Sequence, residues 1–187
     1  MEEKAGDHIK IEGLIEIRNG DKVITGKNHI VGQGLKHIIN LMICTGTRNA
    51  YENFNKNSYY YNARIGSDIS NTTTVGATAL SADFGSNPNS KAISASNIST
   101  TIFDLNVTAT WNAGTVTGTL GEVGILWGML SGGVLKTAQF TSDSTQDPLS
   151  TQLLFSRMSA GDGDFSAFTI DNTKPLTVSW TLRLTFA

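Results

Sequence analysis

The sequence predicts a mainly β protein: a two-sheet antiparallel β-sandwich, jelly-roll-like, with one short α-helix near residues 33–44. Three observations predict it. From Leu176 to Phe186 every even position is apolar and every odd one polar, the period of a strand with one buried face. A second run repeats the pattern, with Phe103, Leu105, Val107, Ala109 and Trp111 on one side and Asp104, Asn106, Thr108 and Thr110 on the other. Turn-forming stretches (RNGDK, NAG, SGG, AGDGD, DNTKP) separate these runs and shorter ones like them.

The elements follow in order. Ile9 to Ile17 alternates, RNGDK supplies Asn-Gly turn chemistry, and VITGKNHIV resumes an extended pattern, so residues 8–31 form a hairpin. After Gly32 and Gly34, residues Leu35, Ile38, Ile39 and Met42 fall at i, i+3, i+4 and i+7, one apolar stripe of a short helix that Gly46 ends. Residues 45–62 form a loop running into a strand near Tyr59 to Ile65, and residues 66–97, rich in Ser, Thr, Asn and Gly, form loops with short elements. A long second hairpin joins the strand ending at Trp111 to a return strand from Thr115 to Leu130. The polar parity of that return strand changes, so either a bulge or kink at Gly118 to Gly121 resets the register or the strand passes from half-exposed to buried; the bulge is the favoured reading. VLKTAQF, LLFSRM, FSAFTI and the closing strand complete the set, with the acidic SDSTQDPLST as a loop.

With 187 residues and no internal repeat, one domain spanning residues 1–187 is expected, the hairpin 8–31 being a candidate assembly arm. Charged residues make up 16% of the chain and the net charge is −2, which leaves no basic footprint for nucleic acid. No apolar stretch reaches the ~20 residues of a membrane helix, and MEEKAGDHIK does not have the form of an export signal. One cysteine, Cys44, permits no intrachain disulfide, so the core or neighbouring subunits must supply stability.

Each chemical feature has a plain structural reading beside it. Asp162 and Asp164, in a glycine turn, are weak candidates for a Ca²⁺ ligand pair, but the further ligands of an EF-type loop are missing and no metal is expected. Glu122, a carboxylate amid apolar strand residues, calls for an arginine or backbone donors: Arg64, Arg157 and Arg183 are the candidate partners, with the polar strip of the last strand placing Arg183 as a candidate buried pair. Tyr59, Tyr60 and Tyr61 are candidates for ligand or partner contact, as a sugar-stacking platform, against strand residues that pack alternately. His8, His29 and His37 have no zinc spacing, and no nucleophile or phosphate-loop motif is present, so neither cofactor nor enzymatic activity is expected.

Taken in order, "NHIVGQGLKHIINLM", "ARIGSD" with "TTTVGATAL", "TATWNAGTVTGTLGEVGILWG", "LLFSRM" and "LTVSWTLRLTF" resemble a loose family of small structural proteins of tailed phages and prophages. The resemblance covers roughly residues 28–186 and rests on the order of degenerate motifs. The insert at 45–62 and the first hairpin depart from the pattern. It implies a non-catalytic virion protein, made in the host cytoplasm and carried on the particle, with the major capsid protein or tail proteins as partners. The absence of a fibre-like shaft favours a capsid decoration or cement protein over a tail-associated one. A homo-oligomer, a trimer, is the expected assembly. A carbohydrate- or receptor-binding module using the tyrosine segment is the alternative of another class.

Overall fold

The computed structural model describes residues 9–32, 34–35, 59–74, 76–77, 79–86, 88–131, 134–136 and 153–186. Twelve strands lie within them: β1 (Ile9–Asn19), β2 (Lys22–Lys27), β3 (His29–Ile30), β4 (Tyr59–Gly66), β5 (Ser90–Asn97), β6 (Ile102–Trp111), β7 (Thr119–Leu120), β8 (Glu122–Ser131), β9 (Val134–Lys136), β10 (Leu153–Ser159), β11 (Phe168–Thr169) and β12 (Leu176–Phe186). The first sheet has the order β2-β1-β12-β6-β5 and the second β3-β10-β8-β4, with β9 paired to β8; β11 and β7 form a separate pair. Every pairing is antiparallel.

The strict alternation of β12 has its explanation in this order. β12 is the centre of the first sheet, in register with β1 from Leu176↔Asn19 to Phe186↔Ile9 and with β6 from Leu176↔Trp111 to Thr185↔Ile102. Its even residues Leu176, Val178, Trp180 and Leu182 are buried. They join Ile15 and Ile17 of β1 and Val107, Ala109 and Trp111 of β6 against Ala63, Ile65, Val123, Ile125, Phe155 and Met158 of the second sheet. Phe155 and Trp180 meet edge to face across the sandwich, ring centroids 5.3 Å apart. The face of a strand that packs on another sheet must be apolar at every second residue, and here both sheets obey.

The N-terminal hairpin is built into the first sheet through β1 and β2, with Ile15 and Ile17 in the core. Its turn at Gly20–Asp21 uses a positive φ of 61° at Gly20. The expected second hairpin is not formed: β6 pairs with β5 and β12, whereas β8 lies in the other sheet between β4 and β10. The parity change after Thr119 is therefore a crossing between sheets rather than a bulge. Gly118, at φ 120°, and the β7–β11 pair make the crossing. A register shift occurs instead in β10, between Leu154 and Ser156. Strand β5 lies within the 66–97 stretch expected to be loop-rich. Of the helix expected near residues 33–44 only 34 and 35 are described, and there the Leu35 N–H donates to the Val31 carbonyl at 3.0 Å; the other residues of that stretch, and residues 142–151, where a loop is expected, lie outside the described residues.

Candidate functional site

The register of β8 with β10 sets Glu122 opposite Ser159 and Gly124 opposite Arg157. Side chains diagonal across an antiparallel pair share a face, so Glu122 and Arg157 project together from the outer side of the second sheet. Arg157 Nε and Nη2 donate to Glu122 Oε2 at 2.9 and 2.8 Å. Glu122 is 0% exposed and Arg157 2%. Arg157 is thus the partner, and the expected Glu122–Arg183 pair is not formed. Arg183 instead grips Asp104 bidentately, Nε to Oδ1 at 2.8 Å and Nη2 to Oδ2 at 2.7 Å. The reason is parity: Arg183 faces outward from the first sheet, opposite Asp104 and Glu12, with the whole core between it and Glu122.

The segment 67–82 crosses over the Glu122–Arg157 pair and takes up its remaining valences. The N–H groups of Ser81 and Ala82 donate to Glu122 Oε2 and Oε1 at 3.1 and 2.6 Å. Arg157 Nη1 donates to the Asn71 carbonyl at 3.2 Å and to the Thr73 hydroxyl at 3.3 Å, and Nη2 to the Ser81 hydroxyl at 3.4 Å. Asp68 lies 3.7 Å from Nη2. Its carboxyl is held far below the usual carboxylate range, chiefly by the Ser70 N–H, then by the Ser70 hydroxyl and the Asn71 donors, against the opposing effect of burial. Three glycines let the segment lie this close: a Cβ at Gly121 would collide with the Asp68 carbonyl, one at Gly161 with the Asn71 carbonyl and one at Gly66 with Glu122 Oε1. Beside them Leu80 completes a small apolar cluster with Val31, Leu126 and Leu154, so the second sheet is covered on both faces. A buried carboxylate that accepts from Arg157 and two backbone N–H groups has nothing left to offer a substrate. Chemically it is a clamp.

Asp162 and Asp164 sit in the turn after β10. The Thr73 N–H donates to Asp162 Oδ1 at 2.8 Å and the Thr73 hydroxyl to Oδ2; the Ser159 N–H donates to Asp164 Oδ2 at 2.9 Å. Burial, the largest single influence, pushes the Asp162 carboxyl up, but the Thr73 hydroxyl and N–H, the Ser159 side chain and the charge of His29 together hold it below its ordinary range. His29, to which the sequence assigns no role, comes within 3.3 Å of Asp164 Oδ1, and one ligand atom from each of the three residues falls within 4.8 Å of the others. Both Asp162 oxygens already accept from Thr73. The arrangement closes the turn onto the 67–82 segment, with the His29–Asp164 contact at its rim. Tyr59, Tyr60 and Tyr61 are strand residues, opposite Met129, Gly128 and Trp127 of β8; their side chains lie outside the described residues.

The outer face of the first sheet is different in kind. Across its five strands the outward positions form ladders: Thr25, Glu16, Ser179, Thr108 and Ala92 in one row, Lys27, Leu14, Thr181, Asn106 and Ser94 in the next. Hydroxyls and amides bond sideways along these rows, Thr110 with Thr177 at 3.1 Å, Thr108 with Ser179 at 3.3 Å and Thr181 to Asn106 at 2.7 Å. The charges pair locally, Lys10 with Glu12, Arg18 with Glu16 and Arg183 with Asp104. The Arg183 guanidinium lowers the Asp104 carboxyl, by hydrogen bonding first and by charge second. A shallow depression of about 490 Å³ runs over Leu14, Glu16, Thr25, Lys27, Ser179 and Thr181. The alternation of β12 and β6 announces this face in the sequence. Its extension over β1, β2 and β5 needed the sheet order.

No protein-family model matches the chain, and no solved structure matches it. The chain is similar to an uncharacterized protein, ORF274, of Acidianus filamentous virus 1 (isolate United States/Yellowstone), with 37% identity over 79 residues. The match takes in 42% of this chain and 27% of that protein, so the chain spans about a quarter of the length of its relative. The similarity associates the chain with viruses and carries no particular role with it.

Proposed function

We propose that the chain is a non-enzymatic structural protein of a virus particle, a decoration or cement module on the capsid surface of the tailed kind that its motif order resembles. The observation that carries this reading is the asymmetry of the sandwich. One sheet is roofed by the 67–82 segment and clamped through Glu122 and Arg157. The other offers a polar face of five strands, linked sideways by its hydroxyls and amides. A rigid face with its hydroxyls, amides and charges already fixed in place loses little side-chain entropy when it docks, which suits lasting attachment to the major capsid protein. The same rigidity suits contact with further copies of the chain. The similarity to a protein of a filamentous virus supports the viral part of the reading.

A mass-spectrometric inventory of purified particles tests it. The chain is expected in the particle at hundreds of copies; a count of about three to a dozen would move it to the tail, where small symmetric rings operate. Particles that hold none of it would end the proposal.

A further inference from the structure

Among the described residues strand β5 ends the first sheet, and the form of that edge is unusual. Long, straight edge strands invite pairing with another chain, and proteins blunt them with charges, bulges, shortness or covers. β2, the opposite edge, has six residues with a lysine at each end, β3 has two residues, and the end of β4 is bridged from Gly66 to Asp83. β5 has eight residues in unbroken register, Ser90↔Thr110 to Asn97↔Phe103, with one charge, Lys91. The Ile98 N–H donates to the Ile102 carbonyl at 2.9 Å, one step beyond that register. Bonded and non-bonded pairs alternate along an antiparallel ladder. Even positions of β5 therefore turn their backbone groups toward β6, and Ile93, Ala95 and Asn97 turn theirs toward the open edge.

We propose that this edge pairs antiparallel with β5 of a second copy about a two-fold axis through Ala95, joining the first sheets of two protomers into one continuous sheet. In that register Ile93 bonds with Asn97 of the second copy, Ala95 with its own counterpart and Asn97 with Ile93. Three bonded pairs with two bonds each give about six hydrogen bonds. On the outer face Ser94 stands across from Ser96 of the second copy, and Ala92 across from Ile98. Ile98 is 55% exposed in the single chain and gains a cover. No like charges face each other, small residues occupy the close positions, and the strand needs no partner but itself. A second copy is therefore the occupant this edge fits, and the pairing stands whether or not the chain belongs to a virus particle.

The test is sedimentation velocity together with residue-resolved amide exchange, on the full chain from about 10 µM to 1 mM, since an interface of this small size makes a weak dimer. A monomer–dimer equilibrium is expected, with the Ile93, Ala95 and Asn97 amides gaining tenfold or more protection as dimer forms. The Ser94 and Ser96 amides, bonded to β6, stay protected throughout. The double variant Ser94→Lys/Ser96→Lys sets lysines across from each other twice and should weaken the dimer tenfold or more; Ser94→Glu/Ser96→Lys sets opposite charges there and should restore it. A monomer at all concentrations, a trimer, a dimer without protection at the three amides, or equal association of the two double variants would overturn the proposal. If either variant fails to melt cooperatively, the exchange pattern of the unaltered chain decides alone.

Discussion

Replacing Arg157 by Met tests the clamp most directly. The substitution keeps most of the side-chain stem and removes the guanidinium. Glu122 then loses donors at 2.9 and 2.8 Å while remaining 0% exposed, and the Asn71 carbonyl and Thr73 hydroxyl lose theirs. Leaving one member of a buried pair uncompensated costs about 3–5 kcal/mol. For a chain of this size about 4 kcal/mol lowers the melting temperature by roughly 8–16 °C. Glu122→Leu combined with Arg157→Met removes the stranded charge. What is left is the loss of a donor to the Asn71 carbonyl and the Thr73 hydroxyl, and of acceptors for the Ser81 and Ala82 N–H groups, of which Ser81 is exposed enough for water to replace the bond. The double variant should therefore cost only about 1–2 kcal/mol, less than Arg157→Met alone. Calorimetry of the single and double variants supplies the cycle. An Arg157→Met protein within about 1 kcal/mol of the parent, or single effects that simply add, would refute the argument that the two groups act as one buried pair.

Three further outcomes follow from the same geometry. Gly121→Ala should cost about 1–3 kcal/mol by forcing the 67–82 segment off the sheet, because the atom in the way is the Asp68 backbone carbonyl; amide exchange in that segment should rise with the loss, and unchanged exchange would contradict the close approach. Trp180→Ala, at the centre of the middle strand and edge to face with Phe155, should cost about 3–5 kcal/mol in chemical denaturation; a cost under 1 kcal/mol would show that the sandwich core lies elsewhere. Asp68, Asp104 and Asp162 all titrate below the ordinary 3.8 in the folded chain. Since the unfolded chain binds their protons more readily, their contribution is complete above that ordinary value and is lost as pH falls below about 4 and through the lowered values. Melting temperature should be level from neutrality to about pH 5 and fall below it, less steeply once Ser70→Ala and Asn71→Ala remove donors from Asp68; a flat profile down to pH 2 would refute it.

Several elements were open to reading in the sequence because their cause is local. The alternation from Leu176 to Phe186 required one buried face and one wet one, and the structure has β12 with that register. The Asn-Gly turn required a positive φ next to it, and Gly20 supplies it. Run by run, side-chain period and turn chemistry fix strands, hairpin turns and the β class. They do not fix which strands become neighbours. Thr115 to Leu130 follows β6 closely enough to look like its hairpin partner, yet β8 joins the other sheet, because burying Val123, Ile125 and the Glu122 clamp needs both β4 and β10 alongside.

The candidate site divides the same way. That Glu122 needs donors, an arginine or backbone N–H groups, was a consequence of sequence alone, since a carboxylate among apolar strand residues cannot stay unsatisfied; the structure supplies both kinds. Which arginine answers was not. Arg64, Arg157 and Arg183 are alike in type, and only the diagonal register of β8 against β10 brings Arg157 to Glu122, while parity turns Arg183 outward to Asp104. His29 joins Asp162 and Asp164 from more than a hundred residues away, a proximity with no local signal. Composition and period therefore determined that this chain is a β protein with a buried acid and a polar-faced last strand. Tertiary structure decided the sheet order, the clamp and the open edge at β5, because these depend on contacts between segments whose separation along the chain leaves no trace in the pattern of either one.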